Sequence, residues 1–329
     1  MKAIVQNGYG SADVLALRDV DDPVIGDDDV LVRVHAAGCG PDVWHLMTGL
    51  PYFVRAMPGF RTVHTRVPGQ DFAGRVEAVG ANVADIRPGD DVMGVAEGSF
   101  AELALARPDK LARKSAGITF EQAAAVPISG CSALQSVRDL GGAGPGQTAV
   151  IVGAGGGVGT FAVQIAKALG AGVTGVCSAA KADVVRSIGA DDVIDYSRED
   201  FADGVRRWDL VVETAGRRSI SELRHALTPT GTLVIVGGEG GNRWTGGFGR
   251  QLFRAPFASM LTRQRLRSLN AKEGRQDLEA LASMIDAGQV TPVVGSTYPL
   301  AAAADALREL ESGHATGKIV VTVAEGPGR

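Results

Sequence analysis

Hydrophobic and polar positions alternate with a period of two through roughly the first 115 residues, then shift to runs separated by helical spacing. Val30, Val32 and Val34 alternate with Leu31, Arg33 and His35, and Phe72 to Val79 alternates again around Gly74. Val92 to Val95 and Phe100 to Leu105 follow, with glycine or proline between the runs. Short period-two runs at this spacing predict the strands of a partly open β-barrel or sandwich. Arg87-Pro88-Gly89-Asp90 predicts a turn between two of them.

Beyond residue 115 the texture changes. Thr119-Phe120-Glu121-Gln122 has the form of a capping box ahead of an alanine-rich helix that Pro127 interrupts. Ala149 to Val152 is a short apolar run bounded by glycines. In the helix predicted after it, Val158, Phe161, Ala162, Ile165, Ala166 and Leu169 share one face. A strand is expected over Val173 to Cys177, a helix over Ala182 to Ile188, and strands near Val193-Ile194 and over Leu210 to Val212. A helix near Ser219 to Leu227 and a strand over Thr232 to Val236 complete the alternation. Strands alternating with helices predict a parallel sheet covered on both faces, so the fold class is α/β.

The segment from 243 to 270 departs from this pattern. Arginines at 243, 250, 254, 263, 265 and 267 are interleaved with Trp244, Phe248, Phe253, Phe257 and Leu261. It reads as an amphipathic segment with a solvated basic face; a subunit contact or a cover over a pocket are the sharper alternatives. Leu278, Leu281 and Ile285 then mark a helix, and Thr316 to Val323 a last strand.

Composition narrows the classes. A chain of 329 residues is expected to form two domains. With 33 Lys+Arg against 37 Asp+Glu, it lacks the broad basic footprint of a nucleic-acid binder. The 45 glycines show no collagen-like period and imply turns and close backbone approaches. Cys39, Cys131 and Cys177 are too widely spaced for a disulfide framework or a cysteine-rich zinc lobe. Leu140 to Ala166 carries no charge, but its glycines and Pro145 divide it into turn, strand, turn and helix, which argues against a membrane span. The amino terminus lacks the apolar core of a signal peptide. A reducing, cytoplasmic setting is expected.

The densest chemical signal is Ala149-Val150-Ile151-Val152-Gly153-Ala154-Gly155-Gly156-Gly157-Val158-Gly159. A buried strand runs into a glycine cluster that opens a helix, whose free N–H groups and partial positive charge suit a pyrophosphate. Gly153, Gly156 and Gly159 give G-x-x-G-x-x-G rather than G-x-G-x-x-G, but the strand–turn–helix–strand frame is that of dinucleotide binding. Gly157 and Val158 complete the expected turn. An acid at the end of the second strand would hold the ribose hydroxyls of NAD. Here Ser178 follows Cys177, and Lys181 precedes the first acid, Asp183. A hydroxyl and a cation suit a 2′-phosphate, so NADP(H) is the expected cofactor.

Other chemistries are absent from the sequence. None of Tyr9, Tyr52, Tyr196 and Tyr298 has a lysine four positions on, so there is no Tyr-x-x-x-Lys pair. There is no G-x-S-x-G elbow and no Walker A loop, since Ile319 follows Gly317-Lys318. The five histidines, His35, His45, His64, His225 and His314, form no H-x-x-x-H pair.

The motifs, in order, resemble those of the medium-chain dehydrogenase/reductases, in the zinc-independent, quinone-oxidoreductase-like branch. The resemblance rests on Val67-Pro68-Gly69-Gln70-Asp71-Phe72-Ala73-Gly74, Val76-Glu77-Ala78-Val79-Gly80, Pro88-Gly89-Asp90-Asp91-Val92 and the glycine loop. Ala190-Asp191-Asp192-Val193-Ile194-Asp195-Tyr196 and Gly317-Lys318-Ile319-Val320 extend it over nearly the whole chain. It implies a GroES-like catalytic domain from 1–119 and 290–329, a Rossmann domain over 120–289, and an active site in the cleft. It also implies that Tyr196 lies near the cofactor's 2′-phosphate. Zinc-dependent relatives carry Gly-His-Glu where this chain has Gly69-Gln70-Asp71, and a cysteine ligand that Cys39 resembles. The Asn usual in the branch is missing from Gly40-Pro41-Asp42-Val43-Trp44.

The resulting expectation is an NADPH-dependent reductase of quinones or activated double bonds that uses no metal. Without a metal, hydrogen-bond donors must meet the charge that develops on the substrate oxygen. Tyr52 is the first candidate, and His45 and Ser132 are the others; the alternative is that Trp44 and Tyr52 only shape an apolar pocket. The rival functions are a zinc-type alcohol or aldehyde dehydrogenase and a non-catalytic NADPH-binding protein. The expected partners are a small apolar carbonyl or quinone and, for assembly, a second copy in a homodimer, with no nucleic acid.

Overall fold

The computed structural model describes residues 1–56, 66–216, 218–237, 244 and 263–323. Its contacts separate the chain into two units, Met1–Cys131 with Glu273–Ala287 and Pro292–Arg329, and Ser132–Lys272 with Gly288–Thr291.

The first unit opens with an antiparallel pair, β1 (Lys2–Gln6) and β2 (Leu15–Asp19). The long strand β3 (Val30–Cys39) follows. Val30, Val32 and Val34 are buried while the residues between them are half-buried, as their alternation predicts. Helix α1 (Pro41–Thr48) starts with proline at its first position and ends at Gly49, whose φ of 61° is left-handed. After the short α2 (Phe53–Ala56) come β4 (Asp71–Val79), β5 (Asp91–Val95), β6 (Leu103–Ala106) and β7 (Leu111–Arg113). β3 pairs antiparallel with both β4 and β6, β4 with β5, and β5 with β7. The run expected from Phe100 lies slightly later in the chain; Ala101 instead forms an isolated bridge with Ala3. The Thr119 capping box is present at α3 (Phe120–Ala124), and α4 (Pro127–Leu134) begins at the interrupting proline.

The second unit is a parallel sheet. Its elements are β8 (Thr148–Val152), α5 (Gly157–Ala168), β9 (Gly172–Cys177), α6 (Ala182–Ser187), β10 (Asp192–Asp195), β11 (Trp208–Glu213), α7 (Ile220–His225), β12 (Leu227–Ile235) and β13 (Arg265–Ser268). Among the described residues the strand order is β10-β9-β8-β11-β12-β13, the doubly wound order of a Rossmann fold. Val150, Val152, Val176, Ile194, Val211, Leu233 and Leu266 meet in its core. Most of the segment from 243 to 262 lies outside the described residues; Trp244 is exposed and Arg265–Ser268 is the edge strand.

The chain then returns to the first unit through α8 (Arg275–Asp286), β14 (Val294–Pro299), α9 (Ala303–Ser312) and β15 (Lys318–Thr322). β15 lies antiparallel to β3, with Ile319 opposite Cys39, and parallel to β14. Leu278, Leu281 and Ile285 form the buried face of α8 as their spacing predicts. By contacts, Phe120–Cys131 and Glu273–Ala287 cluster with the first unit. Phe120 of α3 stacks on His35 of β3, with ring centroids 4.2 Å apart. At the start of α8, Arg275 donates to Pro108 O at 2.9 Å and to Leu111 O at 3.3 Å. Among the described residues no helix is long and apolar enough to cross a membrane.

Candidate active site

The strand β8 ends at Val152, and the turn that follows depends on glycine at two points. Gly153 has φ +80°, a left-handed conformation that side chains disfavour. A Cβ on Gly159 would stand 2.1 Å from Gly153 O, so α5 packs against the turn only because residue 159 has no side chain. Gly156 N donates to Gly153 O at 3.0 Å, and Gly153 N and Ala154 N both donate to Val176 O of β9 at 3.0 Å. Gly156 stands at the N-cap of α5 and has no side chain to take the first N–H groups of the helix. Those groups of Gly157, Val158 and Gly159 open on the carboxyl edge of the sheet, which is a dinucleotide cradle in form.

Ser178, Lys181 and Tyr196 are brought to the same edge. Asp195 of β10 lies opposite Cys177 of β9, and Tyr196 N donates to Cys177 O at 3.2 Å. Ser178 caps a short 3₁₀ turn over Ala179–Lys181. The stem of Lys181 lies across the glycine turn: a Cβ on Gly155 would meet its Cδ at 2.8 Å and its Cβ at 2.9 Å. Burial pushes the Lys181 ammonium below the usual lysine range. The Tyr196 ring is 55% exposed, a surface position rather than a pocket wall.

The other side of the cradle escaped the sequence reading. Val152 of β8 and Glu213 of β11 are register partners, so the turn after Glu213 borders the turn after Val152. Thr214 donates to Val152 O from its hydroxyl at 2.7 Å and from its amide at 3.1 Å. A Cβ on Gly153 would meet the Thr214 hydroxyl at 2.4 Å. Glu213 itself is fully buried, and burial raises its carboxyl above the usual range. Neither an apolar run nor a motif marks this residue, because it stands one position beyond the predicted strand.

Tyr52 and His45 lie close along the chain in the first unit. His45 Nδ1 is 2.6 Å from Leu50 O, and its ring meets the edge of Trp44 at 5.0 Å between centroids. The Arg55 guanidinium sits 4.9 Å from the centre of the half-buried Tyr52 ring and 4.6 Å from that of Tyr9. Arg55 also donates to Gly49 O at 2.9 Å and Thr48 O at 3.1 Å, which holds the segment that carries Tyr52. Ser132 belongs to the second unit, where it is buried in α4 and its carbonyl accepts from the Ser136 hydroxyl at 2.6 Å.

A buried charge cluster, also missed, lies behind α1. Lys318 Nζ of β15 donates to Asp71 Oδ2 of β4 at 2.6 Å and to Ser129 Oγ at 3.2 Å. The other Asp71 oxygen accepts from Ile128 N at 2.8 Å. Among the described residues Asp42 Oδ2 is buried with no hydrogen-bond partner.

Comparison with known proteins fits this geometry. Residues 26–133 match the family model described as alcohol dehydrogenase GroES-like domain, and residues 188–321 the one described as zinc-binding dehydrogenase. A chloroplast envelope quinone oxidoreductase homolog of Arabidopsis thaliana is 30% identical over 98% of both chains. The chain belongs to the medium-chain dehydrogenase/reductase family. It is an oxidoreductase of the quinone-oxidoreductase-like branch. The quinone oxidoreductase of Coxiella burnetii superimposes with a TM-score of 0.85 at 27% identity, over 98% of this chain and 99% of that one. The Escherichia coli quinone oxidoreductase complexed with NADPH does so with 0.81 at 25%, over 98% and 100%.

Zinc-dependent members of the family set a strong test for residues 39–71. In this member a neutral amide, Gln70, stands at the histidine position. Among the described residues no group of three or more His, Cys, Asp or Glu side chains is arranged to hold a metal. The Cys39 thiol is buried, which raises its pKa far above the thiolate range. The Lys318 ammonium lies 3.0 Å from where a Cβ on Gly40 would be, beside that cysteine. With the Lys318 ammonium paired to Asp71 beside that cysteine and only a neutral amide at residue 70, the residues here lack the donor set that zinc requires. The glycine turn, by contrast, fits the pyrophosphate of a dinucleotide.

Proposed function

We propose that the chain is an NADPH-dependent reductase of quinones or of activated, α,β-unsaturated carbonyl double bonds, working without zinc. The observation that carries the reading is the uncapped glycine turn with the Lys181 stem laid across it and Ser178 at the adjoining strand end. The turn suits a pyrophosphate, and a hydroxyl and a cation without an acid suit the 2′-phosphate. The names of the relatives support a quinone as substrate, and the Escherichia coli relative's complex supports NADPH.

When bound, the cofactor supplies a hydride to an electron-poor carbon. The chain's own groups must then meet the negative charge on the substrate oxygen, with neutral donors in place of a metal. Tyr52 is the first of these, its ring held by Arg55; His45 and Ser132 are the alternatives. A homodimer in the cytoplasm completes the reading.

The deciding experiment follows NADPH and NADH consumption with a panel of quinones, enones, aldehydes and alcohols, before and after dialysis against a chelator. The expected outcome is turnover of quinones or enones with NADPH that survives chelation. Activity confined to alcohols or aldehydes and lost with zinc would make it a zinc-type dehydrogenase. Tight NADPH binding with no turnover on any substrate would make it a non-catalytic binder.

A further inference from the structure

The strand order turns on β8: β9 lies on one side of it and β11 on the other. Successive connections leave in opposite directions there, so a crevice opens outside the carboxyl ends of β8 and β11. One lip of that crevice is the glycine turn. The other is Thr214-Ala215-Gly216, directly after Glu213.

Zero exposure is an unusual place for a carboxyl group, and an apolar side chain would fill the end of a core strand at less cost. Glu213 Oε1 accepts from Ala215 N at 2.7 Å and from Gly216 N at 2.8 Å. Its Oε2 is buried without a hydrogen-bond partner among the described residues. Arg218 pairs with Asp200 and Glu222 instead. The carboxyl group is thus spent on two consecutive amides of a turn that closes through Gly216, at φ +69°.

Those two bonds set the polarity of the lip. In a trans peptide the N–H and the preceding C=O point in opposite directions. With the Gly216 amide drawn inward, the Ala215 carbonyl is turned away from the core. The glycine turn offers donors to a phosphate; its neighbour is left to offer an acceptor to an uncharged donor group. Thr214, bonded twice to Val152 O, fixes the distance between the two.

We infer that Glu213 is a positioning residue of the cofactor crevice: it holds the 214–216 turn with its amides inward, so that this lip accepts a hydroxyl or amide donor of the dinucleotide. The inference rests on the cofactor reading above. It is tested by NADPH titrations, followed by nicotinamide fluorescence, on the full chain. Glu213→Leu keeps the volume and removes the acceptor; its Kd is expected to rise tenfold or more. Glu213→Gln keeps one oxygen for both amides and is expected to recover most of that loss. Val211→Ala weakens the core of the same strand and serves as the stability control, with Kd expected within threefold of the parent. A Leu variant that binds within threefold of the parent overturns the inference, as does a Gln variant as weak as the Leu variant. Should the Leu variant not fold, amide hydrogen exchange on the parent protein decides. Ala215 and Gly216 are expected to be protected before NADPH is added, and rapid exchange there overturns the inference. Failure of the parent to bind NADPH or NADH is a separate result, which removes the cofactor reading itself.

Discussion

The stem of Lys181 covers Gly155 while its half-buried ammonium is held below the usual lysine range by burial. A dianionic 2′-phosphate at that edge would offset the lost hydration, whereas the ribose hydroxyls of NADH would not. Lys181→Ala is therefore expected to weaken NADPH by about 1–3 kcal/mol and leave NADH nearly unchanged. Paired titrations with the two cofactors check this, and equal losses count against it. Tyr196, exposed at the end of the adjoining strand, is expected to show the same selectivity with a smaller effect. Tyr52 makes the second residue-level case. Its ring is held by Arg55 whether or not its hydroxyl acts, so shape and chemistry are separable there. Tyr52→Phe keeps the ring and is expected to slow hydride transfer about 100-fold, the scale of one well-placed oxyanion donor. Single-turnover decay of NADPH absorbance reads that step; a Phe variant within threefold of the parent reduces Tyr52 to a wall.

At the scale of elements, the turn between β8 and α5 makes two kinds of demand on its glycines. A methyl on Gly159 would strike Gly153 O, which is backbone and has no room to move. Gly159→Ala is expected to cost about 1–3 kcal/mol or more of stability along with cofactor affinity. A methyl on Gly156 would meet Gly153 O at 3.4 Å, an ordinary contact, in an extended backbone that alanine adopts readily. Gly156→Ala is thus expected to melt like the parent yet bind NADPH at least tenfold more weakly, because the methyl intrudes on the phosphate cradle. Thermal melts and titrations on the two variants separate folding from binding. This element was legible in the sequence because its signals are local: an apolar run, the glycines and the face from Phe161 to Ala166 lie within twenty residues. The capping box at Thr119 was legible for the same reason. Other elements were not. β1, β2 and β13 span only five, five and four residues, too few for a period to stand out. Glu213 lies one position past the predicted strand, and only the sheet register reveals that it is buried beside the glycine turn.

The fold as a whole depends on contacts between the two ends of the chain. Lys318 and Asp71 each sit in a motif that the sequence displayed, but nothing in either motif announces their bond across 247 positions. Their side chains are 4% and 1% exposed, so this pair differs from the surface ion pairs. Removing one partner strands the other as a buried charge, which costs about 3–5 kcal/mol. Asp42 completes the cluster, and its titration tests it. Burial raises its carboxyl from the ordinary 3.8 to about 6, against the pull of Lys318 and with the push of Asp71. A raised acid holds its proton in the folded chain at pH values where the unfolded chain has already released it. Stability linked to Asp42 is therefore full below about pH 4 and is lost as pH rises to about 6, by at most ~3 kcal/mol. Asp42→Asn removes the titration and keeps the shape. Its advantage over the parent should be near zero at pH 4, grow through pH 5, and level off above about pH 6.5. Urea melts of both proteins across this range give the difference directly, since titrations elsewhere cancel. A difference that stays flat with pH would mean that the Asp42 carboxylate is compensated in the folded chain, although Oδ2 has no hydrogen-bond partner among the described residues.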